Sequence, residues 1–228
     1  VSAFSSRFQE INSDRTVTGK QITNGFSIGL GTRLKRPDDY FILQSSFNFQ
    51  NYNLKNFKQF IGNNGEFISN GSFNNMNLKL SLSRNSIDQP IFPTSGANIE
   101  LTGQFTPPYS VIKKRDYSEP IPADEKYQWI EYHKWRFNVD WYQSLGKKFV
   151  LRTAAKFGFL GTYNKKNGLS PFERYEVGGN GLPGNVQLFG TDIISHRGYN
   201  VYSPSGGAAL FNKFTVELRY PFSLNPQA

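Results

Sequence analysis

An antiparallel β-barrel that crosses a membrane is the fold class this sequence predicts, as a piece of about eight strands from a larger barrel. Three observations predict it. Apolar side chains recur at every second position through segment after segment, the repeat of a strand whose successive side chains point to opposite faces. Aromatic residues make up 16% of the chain and Gly contributes 21 positions, while helix-building runs of Ala, Leu and Glu are scarce. Connections alternate between short ones near Pro37, Pro90 and Gly146 and long ones near Asp14, Asn63, Ser118 and Gly181, as in barrels with trimmed turns at one end and elaborated loops at the other.

In order along the chain, Phe4 and Phe8 alternate with Ala3, Ser5 and Arg7 in a short first segment. Phe26, Ile28, Leu30, Thr32 and Leu34 then share a face opposite Gly25, Ser27, Gly29, Gly31 and Arg33, and Arg36-Pro37-Asp38-Asp39 turns the chain. Phe41, Leu43, Phe47 and Phe49 oppose Tyr40, Gln44, Asn48 and Gln50, and a polar stretch to about Asn75 reads as loop. Met76, Leu78, Leu80 and Leu82 give the cleanest alternation, followed by Ala97, Ile99, Leu101 and Phe105. After a Pro-containing loop from Pro107 to Lys126, Trp135, Phe137, Val139 and Trp141 oppose Lys134, Arg136, Asn138 and Asp140. Ser144-Leu145-Gly146-Lys147 turns the chain into Phe149, Leu151, Ala155, Phe157 and Phe159, with Lys148, Arg152 and Lys156 opposite. The last strand sets Phe214, Val216, Leu218 and Tyr220 against Thr215, Glu217 and Arg219.

A soluble sandwich would show the same alternation with its apolar face turned inward. The rhythm of the connections, and segments of about 9 to 14 residues that cross a bilayer when tilted, favour the membrane barrel. Its apolar face then meets lipid and its polar face lines a lumen. Tyr40, Trp129, Tyr132, Tyr142 and Tyr220 near strand ends suit interfacial girdles. No run approaches the roughly 18 apolar residues of a membrane helix. The net charge of +9 is spread singly along strands and loops, which argues against nucleic acid as a partner. With no Cys there is no disulfide framework and no thiolate metal site.

An eight-stranded barrel is barely wide enough for its own side chains, so an inserted loop calls for more strands than these. Residues 1–228 read as a partial barrel domain, and 163–207 as a long external loop that folds into the lumen. Within it, Ser170-Pro171-Phe172-Glu173-Arg174-Tyr175-Glu176-Val177-Gly178-Gly179 leads towards Ile194-Ser195-His196-Arg197-Gly198-Tyr199. A connection this long without regular structure is usually functional or disordered.

This pair of segments resembles the sixth external loop of the BamA-type outer-membrane protein assembly factors, where a Pro-Phe, aromatic and Gly-Gly lead-in precedes a Val-Arg-Gly-aromatic tip. Phe92-Pro93-Thr94-Ser95-Gly96 followed by Asn98, Leu101, Thr102 and Gly103 resembles the Phe-Pro-Thr-Asp-Gly turn and strand of the same family. The triplet at the tip is weak alone, but three sites in the same order are specific. The resemblance runs from about residue 25 to 226 and implies the middle eight strands of a sixteen-stranded barrel. It departs at His196, where the family has Val or Ile, and in a longer spacer after Gly179.

At the tip, Arg197 offers a planar charged fork suited to a carboxylate, Gly198 permits a tight turn and Tyr199 packs beside it. Glu217, on the polar face of the following strand, is the expected partner, and the resemblance implies the same latch to the inner wall. Arg219, Lys156 and Arg152 are the alternative partners for Glu217. Pro171, Phe172, Gly178 and Gly179 form the lead-in.

Catalysis finds no support. His133 and His196 are the only histidines, no Gly-x-Ser-x-Gly elbow occurs, and Gly178-Gly179-Asn180-Gly181 lacks the Lys-Ser/Thr of a phosphate loop. The chain reads as non-enzymatic, with no metal and no cofactor. The resemblance implies the barrel portion of an insertase in the bacterial outer membrane. Its partners would be unfolded outer-membrane proteins, accessory assembly lipoproteins, and outer-membrane lipid and lipopolysaccharide. A two-partner secretion transporter of the same superfamily and a passive porin are the rival readings.

Overall fold

The computed structural model describes residues 1–58, 60–112, 121–146, 148–179, 190–200 and 206–222. Eight strands build one sheet: β1 (Ser2–Ile11), β2 (Val17–Arg33), β3 (Phe41–Lys55), β6 (Gly71–Asn85), β7 (Gly96–Phe105), β8 (His133–Ser144), β9 (Val150–Gly161) and β12 (Leu210–Arg219). They lie side by side in that order, and every adjacent pair is antiparallel. Between them sit a two-residue hairpin, β4 (Phe60–Ile61) and β5 (Phe67–Ile68), and a parallel pair, β10 (Arg174–Val177) and β11 (Thr191–Ile194). Two single helical turns, α1 (Tyr109–Ile112) and α2 (Ala123–Lys126), occupy the loop before β8.

Register carries the alternation across the whole sheet. Phe26 stands opposite Phe49, Phe47 opposite Leu78, Leu82 opposite Leu101, Leu101 opposite Phe137, and Phe137 opposite Phe157. These side chains form one continuous apolar face that none of the described residues covers; Leu30 is 79% exposed and Val216 73%. Such a face far exceeds the apolar patches that soluble monomers tolerate and is the surface a barrel gives to lipid. On β12 it runs from Leu210 to Leu218, roughly 26 Å along the strand. Phe105, edge-on to Trp135 at 5.0 Å, and Phe159 border it on the long-loop side; Phe149 and Tyr220, 5.0 Å apart, border it on the turn side.

Strand lengths differ from the sequence expectation on the long-loop side. The chain near Asp14 makes a five-residue turn rather than a long loop, with Asn12 Oδ1 accepting from the Asp14 and Thr16 amides. The polar stretch after Gln50 continues β3 to Lys55 and re-enters as β6 at Gly71. Polarity hid these strand ends because it inverts there. Asn24, Asn51, Asn53, Ser72 and Asn74 occupy the outer face, while Tyr52, Leu54 and Phe73 are buried on the inner one. The outer polar side chains bond across strands: Ser5 Oγ donates to Asn24 Oδ1 at 2.7 Å, and Asn51 Nδ2 to Ser72 Oγ and Asn74 Oδ1, both at 2.9 Å.

Phe4 and Phe8 are displaced by the same inversion. Both face inward, where Phe4 lies against Gly25 and Phe8 packs edge-on to Phe57 at 5.6 Å. Tyr132 and Tyr142 likewise leave the expected girdle. Both are buried on the inner side, Tyr132 accepting from Gln104 Nε2 and Tyr142 lying under Arg219. Trp129 packs on Tyr109 in the loop region, so of the five aromatics Tyr40 and Tyr220 remain at exposed strand ends.

At the turn end, the segment from Asp88 to Ser95 is closed by one carboxylate. Asp88 accepts the Thr94 hydroxyl at 2.5 Å and the amides of Gln89, Thr94 and Ser95. The Thr94 hydroxyl, followed by the backbone donors, pulls its pKa down to about 2.

A cation placed within the apolar band must lose its hydration, whereas one above it need not. Leu80→Lys is therefore expected to cost about 2–4 kcal/mol in the folding equilibrium of the full-length barrel in lipid vesicles, and Asn53→Lys, on the same face above the band, close to nothing.

Candidate functional site: the loop packed on the inner wall

The buried core lies on the inner face at the long-loop end, where the segment following Gly161 lays its lead-in on the wall. Phe172 is fully buried, stacked on Tyr52 at 5.7 Å and packed against Phe60 at 4.4 Å and Phe73 at 5.0 Å. Two wall strands and the small hairpin thus meet on one loop side chain. Pro171, beside it, is buried as well. Ser170 Oγ accepts from the Phe172 amide, and Arg174 ties the turn by donating to the Ser170 carbonyl at 2.8 Å and to Asn63 Oδ1 at 3.0 Å.

Glu173 adopts φ 66°, a left-handed conformation that is costly for a side chain of this kind. The conformation delivers its carboxylate to the wall. One oxygen lies 3.2 Å from both Asn75 Nδ2 and the Tyr52 hydroxyl, and the other accepts from Lys134 Nζ at 3.1 Å. Lys134 is 3% exposed and also meets Asp192 at 2.7 Å, with its ammonium 4.8 Å from the Tyr175 ring centre. Arg136 approaches Asp192 at 3.4 Å. Two cations of β8 therefore face two carboxylates of the loop, and the charges balance, with Lys134 and Glu173 the better shielded from water. Burial alone would raise the Asp192 pKa, but Lys134 and then Arg136 outweigh it and hold the carboxyl below the usual value.

Tyr175 completes the contact. It is fully buried, donates its hydroxyl to the Trp135 carbonyl at 3.1 Å and meets Phe211 edge-on at 4.8 Å. Gly158 of β9 makes the approach possible, since a Cβ there would lie 2.1 Å from the Phe211 ring and 2.7 Å from that of Tyr175.

The structure brings the lead-in glycines and the tip together. Gly178 N–H donates to the Ile194 carbonyl at 2.9 Å, Gly179 N–H to the Tyr199 carbonyl at 2.8 Å, and the His196 amide to the Gly179 carbonyl at 3.0 Å. Both glycines have positive φ, which lets the backbone double back on itself. Tyr199 packs on His196 at 4.6 Å, and Lys213 Nζ of β12 holds the tip's approach by donating to the Ser195 carbonyl at 2.5 Å.

Arg197 and Glu217 are not brought together. Arg197, Gly198 and Tyr199 are exposed, and among the described residues no ion pair involves Arg197. Glu217 instead engages Arg152 at 2.9 Å and Arg219 at 2.7 Å, two of the alternative partners. Proximity explains the outcome: Arg152 is the direct cross-strand neighbour of Glu217, and Arg219 follows two residues later on the same face. Arg152 is in turn bound by Asp140. The loop's firm anchor is Glu173 on Lys134, a pairing the sequence reading did not assign. Its only sequence signals were an acid inside the lead-in and a Lys on the polar face of a strand. Residues 180–189 and 201–205 of the expected 163–207 loop lie outside the described residues.

The arrangement fastens a loop to a wall, and its chemistry is ionic and aromatic. Comparison with known proteins gives the same architecture. A family model described as "Omp85 superfamily domain" matches residues 1–228. The crystal structure of BamA from Haemophilus ducreyi lacking POTRA domains 1–3 is similar with a TM-score of 0.63 at 17% sequence identity, over 91% of this chain and 39% of that one. The chain thus spans well under half the length of that structure. No curated protein matches it.

Removing the Lys134 ammonium leaves two inward carboxylates facing each other. Lys134→Met is expected to weaken loop attachment by about 3–5 kcal/mol, and Phe172→Ala by a similar ~3–5 kcal/mol through the cavity it opens. Protease cleavage within 163–207 of the full-length barrel reads both. Because the folded Asp192 pKa lies below the unfolded value of about 3.9, its contribution is present above that value and lost as pH falls through the lower one. Loop protection is expected to hold from neutral pH down to roughly pH 4 and to decline below it, with Asp192→Asn abolishing that share of the pH dependence.

Proposed function

The chain belongs to the Omp85 superfamily, and we propose that it is barrel wall from an insertase that assembles β-barrel proteins into the bacterial outer membrane. The observation that carries this reading is the loop lead-in fastened to the inner wall through Phe172 and Glu173, in a fold similar to that of BamA. A passive pore needs an open passage. Here aromatic and ionic contacts commit the inner wall to the loop lead-in.

In this reading the wall serves as a rigid scaffold. Incoming strands pair at a barrel edge by β-augmentation, where backbone groups shielded from water gain most from a partner. The wall resists opening because its eight strands pair in unbroken succession from β1 to β12. The tip of Arg197, Gly198 and Tyr199, held at its base by Gly179 and Lys213, meets the part of the lumen that β1 to β12 do not line. Unfolded outer-membrane proteins are the substrates, accessory assembly lipoproteins the periplasmic partners, and outer-membrane lipid and lipopolysaccharide the surroundings.

Reconstitution of the full-length protein in lipid vesicles tests this. Urea-unfolded outer-membrane barrel protein is expected to insert several-fold faster than into empty vesicles, and Lys134→Met to slow the gain. A large steady conductance without faster insertion would mark a passive pore instead, and transfer of a secreted passenger without barrel insertion would mark a secretion transporter.

A further inference from the structure

The strand ends that rise above the apolar band carry a cationic surface with no ion-pair counterpart among the described residues. On the outer face of β1, β2 and β3 the positions beyond Ala3, Phe26 and Phe49 read Ser5, Arg7 and Gln9; Asn24, Ile22 and Lys20; Asn51, Asn53 and Lys55, with Ile22 the one apolar side chain among the nine. Lys20 and Lys55 are direct cross-strand partners, and Arg7, opposite Ile22, is their near neighbour. Like charges placed opposite each other across a sheet repel. No carboxylate shares those outer-face positions, and among the described residues none of the three cations forms an ion pair.

Height identifies the missing anion. Lys20 lies six residues beyond Phe26, roughly 20 Å along the strand and about 14 Å in height at a 45° tilt. Arg7, four residues beyond Ala3, stands at about 9 Å. Phospholipid headgroups add only about 5–8 Å to each side of a bilayer, so the backbone positions of the cluster stand above them. An outer leaflet of glycolipid, whose phosphates sit on a larger sugar headgroup, reaches that level. Between band and cluster, the Asn and Ser side chains offer amide and hydroxyl groups of the kind that bond sugar hydroxyls.

We propose that Arg7, Lys20 and Lys55, above the belt of Ser5, Asn24 and Asn51, dock the phosphorylated sugar headgroup of an outer-leaflet glycolipid. The inference rests on the outer-membrane placement proposed above, and long loops on the outside fix which end of the barrel it concerns. Its role is to seat this side of the barrel at a set depth in the outer leaflet.

The full-length protein in nanodiscs is titrated with purified phosphorylated outer-leaflet glycolipid, with the same glycolipid after enzymatic dephosphorylation, and with phosphatidylglycerol. The intact glycolipid is expected to bind roughly tenfold tighter than either control, with the gain reduced by salt. Lys20→Glu with Lys55→Glu should abolish the preference, and Lys20→Arg with Lys55→Arg should keep it. Equal binding of the dephosphorylated glycolipid, equal binding of phosphatidylglycerol, or a preference that survives charge reversal would each overturn the proposal. Quenching of Trp135 and Trp141 by lipid-borne quenchers separates the two levels: quenching without glycolipid preference defeats this inference alone, and no quenching defeats the membrane placement beneath it.

Discussion

Side-chain direction with a period of two is the constraint from which this molecule follows. A shift of one residue between any two neighbouring strands would move Lys134, Arg136, Asp140 and Arg152 into lipid and bring Trp135, Phe137, Trp141 and Leu151 onto the wall. Unbroken pairing from β1 to β12 keeps both sets in place, and each short turn must hold its register. The Asp88 carboxylate, collecting three amides and a hydroxyl, does so between β6 and β7. Backbone hydrogen bonds between strands satisfy groups that lipid cannot.

Once the outer face is given to lipid, the inner face has to build whatever core the chain possesses. It does so at one end, where polarity inverts and Tyr52, Phe73 and Tyr132 turn inward beneath the loop. Phe172 fills the space among them, and Glu173 accepts backbone strain to reach Lys134. The loop is therefore part of the core rather than an attachment to it. The charges there come as a balanced set, Lys134 and Arg136 with Glu173 and Asp192, and nearer the turns Arg152 and Arg219 face Asp140 and Glu217. An unpaired charge in the same surroundings would be expensive.

The chain belongs to the Omp85 superfamily and shares its fold with BamA. The inner-wall anchor bears on what passes through such a barrel, and the outer cationic rim on how it is seated. They lie on opposite faces of the sheet at its long-loop end and meet on β3. Lengthening β2, β3 and β6 beyond the band creates the interior site for the loop and, in the proposal above, an exterior one for headgroups.

The sequence by itself determined the fold class, most strand cores, the short turns and the Pro-Phe and Gly-Gly lead-in, because local alternation and turn chemistry write these directly into residue order. It did not reveal the strand ends beyond Gln50 and before Asn75, whose Asn and Ser residues read as loop once lipid no longer selects apolar side chains. Only the tertiary structure decided where Glu217 and Glu173 find their cations. Glu217 is satisfied by the neighbour that register places beside it, and Glu173 by Lys134, 39 residues away in sequence. A carboxylate's partner depends on which cation the folded chain brings within about 3 Å, and the period of a strand carries no information about that distance.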